Sequence, residues 1–385
     1  MNADTLLRNA VDAGDVPGVV AAVTTRDETL YQGSFGRRVL GESAAMSFDT
    51  VCWLASMTKP LVGAAAMQLV EQGRLELDAP AARLIPELAG FQVLEGWDAG
   101  GAPRLRPAKR AMTLRHLMTH TSGFVYDTWN ADMARFARLR NVPRAGSGQN
   151  VALRIPLAFD PGERWEYGIG IDWTGKMIEA VSGMRLGAYL KENLFEPLGM
   201  HSTAFKITPD MRARLAKVHN RTDDGKLAPG PFEVPQDPEF EPGGGGLYSC
   251  AGDYVQFMRM ILNRGTGNGN RVLKAETVDL MSRNAMGSAR VAILPSQNPL
   301  LSRDAEFFPG VPKTWGLSFM INEENAPTGR SAGSLAWAGL SNCYFWIDPK
   351  REIAGVYLTQ VLPFIDVKAS PLFLEFETAA YRSFH

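Results

Sequence analysis

The chain has 385 residues, of which 45% are hydrophobic and 21% are charged, as in folded globular proteins and unlike intrinsically disordered chains. Its 40 Lys and Arg residues nearly balance its 41 Asp and Glu residues, and the formal net charge is −1. This balance excludes a global positive field for binding nucleic acid or an anionic membrane.

The sequence also lacks the patterns typical of membrane insertion, export and disulfide frameworks. Apolar runs such as 61–67 and 353–358 are much shorter than the roughly 20 residues that cross a bilayer. The N-terminus has no basic segment followed by an apolar one, so we expect a cytoplasmic protein. Cys52, Cys250 and Cys343 have no CxxC spacing, which favours buried apolar side chains over disulfides or a zinc site.

The first 74 residues predict a helix, a hairpin and a second, apolar helix. The helix is expected over 4–13, and two β-like runs, 19–25 and 29–35, follow it with a short polar turn between them. A third β-like run, 50–54, leads directly into the apolar helix, which is expected over 56–72.

After this point the pattern changes twice. From about 75 to 264 it favours helices separated by Pro- and Gly-rich connections, most clearly at 113–119 and 171–182. Strand-like segments then return, and a helix over 371–382 closes the chain. These strand-like segments are 314–321, 334–340, 342–347 and 353–359.

A helical insertion between two halves of one sheet is the simplest arrangement of these elements. We therefore expect a discontinuous α/β lobe formed by 1–74 and 265–385, and a mainly helical lobe formed by 75–264. Gly and Pro are spread along the chain rather than concentrated in one linker, so the two lobes are expected to fold as one unit.

The sharpest local feature is an S-x-x-K motif, Ser56 to Lys59, at the start of the apolar helix. Residues three apart share one helix face, so the Lys59 amine can reach the Ser56 hydroxyl. A serine hydroxyl is a weak nucleophile until a base takes its proton, and burial can lower the pKa of a lysine enough for that role. Because S-x-x-K arises by chance about once in a chain of this length, a capping serine beside a solvated lysine remains the alternative at this point.

Four further motifs follow in order: L-R-H-L-M-T-H-T-S-G-F at 114–124, P-G-E-R-W-E-Y at 161–167, P-L-G-M at 197–200 and G-G-G-G-L-Y-S at 243–249. With S-x-x-K, they make the chain resemble the penicillin-recognising serine hydrolase superfamily, which includes class C β-lactamases, DD-peptidases and family VIII carboxylesterases. The resemblance implies an α+β fold of the β-lactamase/DD-peptidase type. Such a fold has an antiparallel sheet flanked by helices, a helical lobe, and an active site in the cleft between them.

The same resemblance assigns roles to individual residues. Ser56 would be the acylated nucleophile, Lys59 its activator, and Tyr167 the tyrosine of the second motif. A phenol whose pKa is lowered by a nearby ammonium could relay the proton between Ser56 and the leaving group, so either Lys59 or Tyr167 could be the formal base. The backbone N–H groups of Ser56 and Leu340 would form the oxyanion hole. We expect no metal or organic cofactor.

Two departures from the family pattern bear on the substrate. Ile169 stands where β-lactamases of this type carry the Asn of Y-x-N. Trp337-Ala338-Gly339 stands at the place of K-T-G, whose lysine ordinarily holds a substrate carboxylate, and it resembles the W-G-G of family VIII esterases. We therefore expect a serine carboxylesterase acting on a small-molecule ester. A β-lactamase or DD-peptidase, an acyl transferase, and a penicillin-binding sensor that stalls after acylation remain the alternatives.

Several aromatic residues near these motifs are candidate pocket walls, with core packing as the alternative for each. Together with the W-A-G residues Trp337, Ala338 and Gly339, the predicted substrate-binding set contains Phe124, Tyr126, Trp129 and Trp315. His116 and His120 have the spacing of a zinc pair but lack the Glu of H-E-x-x-H, so a structural role is expected. Lys313 begins an interrupted K-T-G before a strand, and its predicted role is also structural.

Overall fold

A seven-stranded antiparallel sheet organises residues 2–383, the part of the chain that the computed structural model describes. Its strands are β1 (Gly18–Thr24), β2 (Thr29–Gly36), β3 (Lys313–Trp315), β4 (Met320–Asn322), β5 (Leu335–Gly339), β6 (Cys343–Asp348) and β7 (Ile353–Leu358). They lie in the order β3-β4-β5-β6-β7-β1-β2, and each neighbouring pair is antiparallel. Two strands from the start of the chain and five from its end therefore complete one sheet, and the long stretch between them adds no strand to it.

Helices surround this sheet and fill the inserted stretch. They are α1 (Ala3–Asp12), α2 (Thr58–Glu71), α3 (Leu114–Met118), α4 (Ala131–Arg140), α5 (Gly170–Ser182), α6 (Leu186–Leu190), α7 (Glu196–Leu198), α8 (Pro209–Ala213), α9 (Ala251–Leu262), α10 (Ala275–Met281) and α11 (Ala369–Ser383). Shorter 3₁₀ turns are Ala55–Met57, Ala81–Arg83, Pro86–Ala89, Ala145–Ser147 and Asn150–Leu153, and Lys191–Phe195 is a π-helical turn. None of the described helices is long and apolar enough to cross a membrane.

Small strand pairs lie outside the large sheet. They are Cys52–Trp53 with Tyr248–Ser249, Gln92–Trp97 with Pro103–Pro107, Thr266–Gly267 with Asn270–Arg271, and His219–Arg221 between Leu227–Pro229 and Val361–Leu362. The predicted strand over 50–54 is therefore only two residues long, and it pairs with the segment before α9 rather than with the large sheet. This strand pair brings the segment before S-x-x-K next to the end of the Gly-rich motif at 243–249.

Both faces of the central strands are buried, because α11 covers one face and α9 the other. Successive side chains of a strand point to opposite faces. Tyr344 of β6 accordingly stacks on Phe373 of α11 with 4.2 Å between ring centroids, whereas the next residue, Phe345, packs on Tyr254 of α9 at 5.2 Å. All six residues of β6 are buried, as expected for a strand between two helical layers.

Most elements lie where the sequence predicts them, and the antiparallel sheet flanked by helices is the one expected. The hairpin is β1 and β2, and the helices expected over 113–119, 171–182 and 371–382 are α3, α5 and α11. The three cysteines are free and buried. The division into two lobes stays a prediction.

The segment 314–321 differs from the prediction because it holds a hairpin, β3 and β4, rather than one strand. The Gly316 N–H donates to the Phe319 carbonyl at 2.8 Å, and Ser318 takes a positive φ of 82°. A Cβ at Gly316 would lie 2.1 Å from the Met281 carbonyl oxygen, so only glycine fits this turn. The residues on both sides of the turn are mostly apolar, so the sequence pattern does not show that a turn divides the segment.

Candidate active site

Ser56 lies in the 3₁₀ turn Ala55–Met57, two residues before the start of α2, the α-helix in which the sequence predicts it. Ala55 takes a positive φ of 47°, which is uncommon for a residue with a side chain. Gly339, at the end of β5, lies against this turn, and a Cβ there would come within 2.2 Å of the Leu54 carbonyl oxygen. This close approach brings Leu340 and Ser56 to the same cavity.

Lys59 lies in the first turn of α2 and points back at Ser56. Its Nζ is 3.0 Å from Ser56 Oγ, the contact that the i, i+3 spacing predicts. The same Nζ donates to the Gly244 carbonyl at 2.5 Å and to Tyr126 Oη at 3.2 Å. The side chain is fully buried, and this burial lowers the pKa of Lys59, while the charge of Asp172 opposes the shift. A neutral amine within reach of the Ser56 hydroxyl can act as a base.

Tyr167 lies on the other side of the serine. It shares a hydrogen bond with Ser56, accepts a second from Trp337 Nε1 at 2.8 Å, and holds its ring 4.6 Å from Lys59 Nζ. Burial raises the pKa of Tyr167, and the two hydrogen bonds oppose this only in part. The expected lowering of its pKa by the nearby ammonium is therefore wrong, because desolvation outweighs that charge. Tyr167 is a neutral phenol near neutral pH and can donate a proton.

Trp337 has a polar role that the sequence does not predict. We expected an apolar wall in place of the K-T-G lysine, but the indole N–H donates to Tyr167 and the side chain is only 4% exposed. Ala338 and Gly339 follow it to the end of β5. The W-A-G segment thus fixes the phenol at one end and places Leu340 beside Ser56 at the other.

Asp172 and Gly244 belong to the site but were not among the predicted residues. Asp172 is buried on α5, and its Oδ1 accepts the Gly244 N–H at 2.8 Å. Its Oδ2 has no hydrogen-bond partner within residues 2–383. Burial raises the pKa of Asp172, against the effects of the Gly244 N–H and the charge of Lys59. An acid in an apolar helix, five residues after Tyr167, is the signal that could have revealed it.

A cavity of about 350 Å³ opens onto Ser56. Its apolar lining includes Trp53, Ala55, Trp129, Phe232, Leu301, Leu340 and Leu362. The cations and carboxylates at its edge are paired, since Arg144 Nε lies 3.6 Å from Asp127 Oδ2 and Glu233 pairs with Arg212, and the acid Asp172 also lines the cavity. Such a cavity suits an uncharged substrate better than an anion, because an anion gains most from an unpaired cation.

The predicted pocket residues divide into two groups. Tyr126 and Trp129 line the cavity, and Tyr126 also contacts Lys59. Phe124 and Trp315 are fully buried and lie outside the cavity lining. The W-A-G residues Trp337, Ala338 and Gly339, which we also expected to bind substrate, lie outside it as well, and only the next residue, Leu340, lines the cavity. Phe124 packs against Trp173 of α5, and Trp315 against Trp337, so both belong to the core and not to the pocket wall that we expected.

The two histidines with zinc-pair spacing and the lysine of the interrupted K-T-G make structural contacts. His116 forms a capping box with Thr113 at the start of α3. His120 is buried, accepts the Gly168 N–H at 3.3 Å and packs its ring 4.6 Å from that of Tyr167. Lys313 Nζ donates to the carbonyls of Phe308 and Val311. The described part of the chain holds no group of three or more His, Cys, Asp or Glu side chains that could bind a metal ion.

Comparisons with known proteins show which family and which structures this chain is similar to. A family model described as Beta-lactamase matches residues 3–379. The chain is 33% identical to monacolin J acid methylbutanoyltransferase of Aspergillus terreus, over 99% of this chain and 95% of that protein. It is 32% identical to the lovastatin esterase of Penicillium rubens, over 94% and 93% of the two chains. Unliganded simvastatin synthase (LovD) from Aspergillus terreus superposes with a TM-score of 0.85 at 31% identity, covering 99% of this chain and 97% of that one.

Proposed function

Because the chain belongs to the beta-lactamase family of serine hydrolases and acyltransferases, we propose that it is a carboxylesterase of the family VIII type, with Ser56 as the acylated residue. The observation that carries this proposal is the contact of the buried Lys59 Nζ with Ser56 Oγ at 3.0 Å. Relatives named as transferases and as an esterase support serine acyl-enzyme chemistry in this family.

Acylation would proceed by one addition and one elimination. Ser56 Oγ bonds to the ester carbonyl carbon as its proton passes to the neutral Lys59 amine, and the carbonyl oxygen becomes an oxyanion beside the N–H groups of Ser56 and Leu340. The bond to the alcohol then breaks. Tyr167 donates its proton to the leaving oxygen and recovers one from the Lys59 ammonium, so the products are a free alcohol and an acyl-serine.

Deacylation would reverse this sequence with a different nucleophile. Water or an alcohol enters where the first alcohol left, loses its proton to Tyr167 and Lys59, and bonds to the acyl carbon. Ser56 Oγ leaves with that proton. Water gives a carboxylic acid and an alcohol gives a new ester, so the nucleophile that occupies the cavity decides between hydrolysis and transfer.

The cavity favours neutral esters with short to medium acyl groups. Its volume of about 350 Å³ and its apolar lining fit such a group. Trp337 stands where a lysine would hold a carboxylate, which disfavours penicillins.

Acyl transfer is the second candidate, since a relative that matches nearly the whole chain is named as a methylbutanoyltransferase. The two activities are separated by incubating the enzyme with p-nitrophenyl butyrate or 2-methylbutyrate and an increasing concentration of a bulky alcohol. Free acid as the main product at every alcohol concentration supports the esterase. A new ester that dominates at low millimolar alcohol favours the transferase, and higher kcat/KM on nitrocefin than on the esters would contradict both.

Intact-mass analysis after treatment with a p-nitrophenyl phosphonate tests the nucleophile. We expect one adduct on the wild-type chain and none on Ser56→Ala. Ser122→Ala is the matched control, because Ser122 is buried and its Oγ accepts a hydrogen bond from the Phe124 N–H, at 3.4 Å, rather than one from a lysine. It should keep the adduct. An adduct that persists in Ser56→Ala would overturn the proposed function.

A further inference from the structure

A single residue, Gly244, links the carboxylate of Asp172 to the amine of Lys59. The Gly244 N–H donates to Asp172 Oδ1 at 2.8 Å, and the Gly244 carbonyl accepts from Lys59 Nζ at 2.5 Å. A Cβ on Gly244 would lie 2.7 Å from Asp172 Oδ2 and 2.8 Å from Tyr126 Oη. The glycine therefore lets the backbone fit tightly between the acid and the amine, and the position of each depends on the other.

Asp172 is also the acidic group that faces Lys59 among the described residues. Tyr126 and Tyr167 hold their rings 5.2 Å and 4.6 Å from Lys59 Nζ, and burial raises the pKa of both phenols, so they are neutral. Burial and the charge of Lys59 together lower the pKa of His120, so that ring is neutral as well. The Asp172 carboxylate is consequently the group whose negative charge opposes deprotonation of Lys59.

We propose that Asp172 is a positioning residue for acylation, which aims Lys59 at Ser56 through the backbone of Gly244 and tunes how readily the amine releases its proton. This inference rests on the proposed function of Ser56 and Lys59. The described residues leave Asp172 Oδ2 without a hydrogen-bond partner, so only one of the two carboxylate oxygens is stabilised by a hydrogen bond. A buried acid with an unpaired oxygen lowers the stability of the fold. An effect of its charge on the Lys59 amine would explain why an acid stands at this position.

The sign of the effect follows from charge alone. A negative carboxylate stabilises the ammonium form of Lys59, so removing it makes Lys59 easier to deprotonate and a weaker base. The acidic limb of the pH–rate profile marks the loss of the neutral amine. This limb should move to lower pH by about one unit when Asp172 becomes neutral. The rate on the plateau should fall, because a weaker base assists acylation less.

The experiment compares Asp172→Asn with the wild type by the pH dependence of Ser56 phosphonylation and of kcat/KM for a p-nitrophenyl ester. Asparagine keeps an oxygen that accepts the Gly244 N–H and removes only the charge. The matched control is Asp253→Asn. Asp253 is a buried acid of α9 that accepts hydrogen bonds from the Ser202 N–H and the Thr203 hydroxyl. This control should leave the position of the acidic limb unchanged.

An acidic limb at the wild-type pH in folded Asp172→Asn would overturn the inference, as would a limb moved to higher pH. A lower plateau with an unmoved limb would indicate a structural role only. If Asp172→Asn does not fold, Asp172→Glu carries the test, because it keeps the charge but displaces Gly244. Its rate should fall while its limb stays in place, and a limb moved by about one unit would contradict the proposal. Failure of the proposed function is distinct, because the wild type would then not be phosphonylated at Ser56.

Discussion

Lys59 and Lys313 are two buried lysines that each stand in a motif-like sequence, S-x-x-K and an interrupted K-T-G. Burial lowers the pKa of both amines. Lys59 faces the Ser56 hydroxyl, which has a proton to lose. Lys313 Nζ instead donates to the carbonyls of Phe308 and Val311, at 3.2 Å and 2.6 Å. A carbonyl oxygen has no proton that the amine could take. Desolvation prepares an amine for base catalysis, but the group opposite it decides whether there is a proton to take.

Replacing Lys59 is the strongest way to test this contrast. Lys59→Met keeps the length and apolar stem of the side chain and removes the base, so kcat/KM on a p-nitrophenyl ester should fall about 10³-fold. Steady-state kinetics over a pH range measures the loss. In the wild type, the acidic limb should lie below the ordinary lysine pKa of about 10.4, because burial lowers the pKa of Lys59. Activity within tenfold of the wild type would show that the base is another group.

The sequence was sufficient for the parts of the site that depend on local geometry. Ser56 and Lys59 are three residues apart on one turn, so their contact needs no knowledge of the rest of the fold. Asp172 and Gly244 meet across 72 residues of sequence, and their contact depends on how α5 packs against the Gly-rich segment. Tertiary packing of this kind leaves only an indirect trace in the sequence, here an acid between apolar residues in the first turn of α5.

The same reason accounts for the errors in the predicted pocket and sheet. Phe124 follows H-T-S-G and Trp315 stands in the interrupted K-T-G, yet both rings pack in the core, because position along the chain does not tell which face an aromatic ring takes. The segment 314–321 has strand residues throughout, and a single tight turn at Gly316 divides it into β3 and β4. That both ends of the chain form one large sheet was predictable, since the strand-like segments lie at those two ends, but the order of its strands was not.

Trp337 offers a smaller test on the other side of the serine. Trp337→Phe keeps an aromatic ring and removes the N–H that Tyr167 accepts at 2.8 Å, so kcat/KM should fall about tenfold. Trp315→Phe is the matched control. Trp315 packs 4.7 Å from Trp337, and its own N–H has no hydrogen-bond partner in the described part of the chain. Equal losses in the two variants would mean that ring packing, and not the hydrogen bond to Tyr167, supports the reaction.

Lys313→Met should have the smallest effect on activity and completes the comparison of the two lysines. The substitution leaves the carbonyls of Phe308 and Val311 without their donor, so unfolding should become easier by about 1 kcal/mol, measured by chemical denaturation. Loss of the buried amine offsets part of this cost, since methionine is not penalised by desolvation. The kcat/KM of the folded variant should stay within twofold of the wild type, because Lys313 makes no contact with Ser56. A loss comparable to that of Lys59→Met would place Lys313 in the reaction and remove the distinction between the two amines.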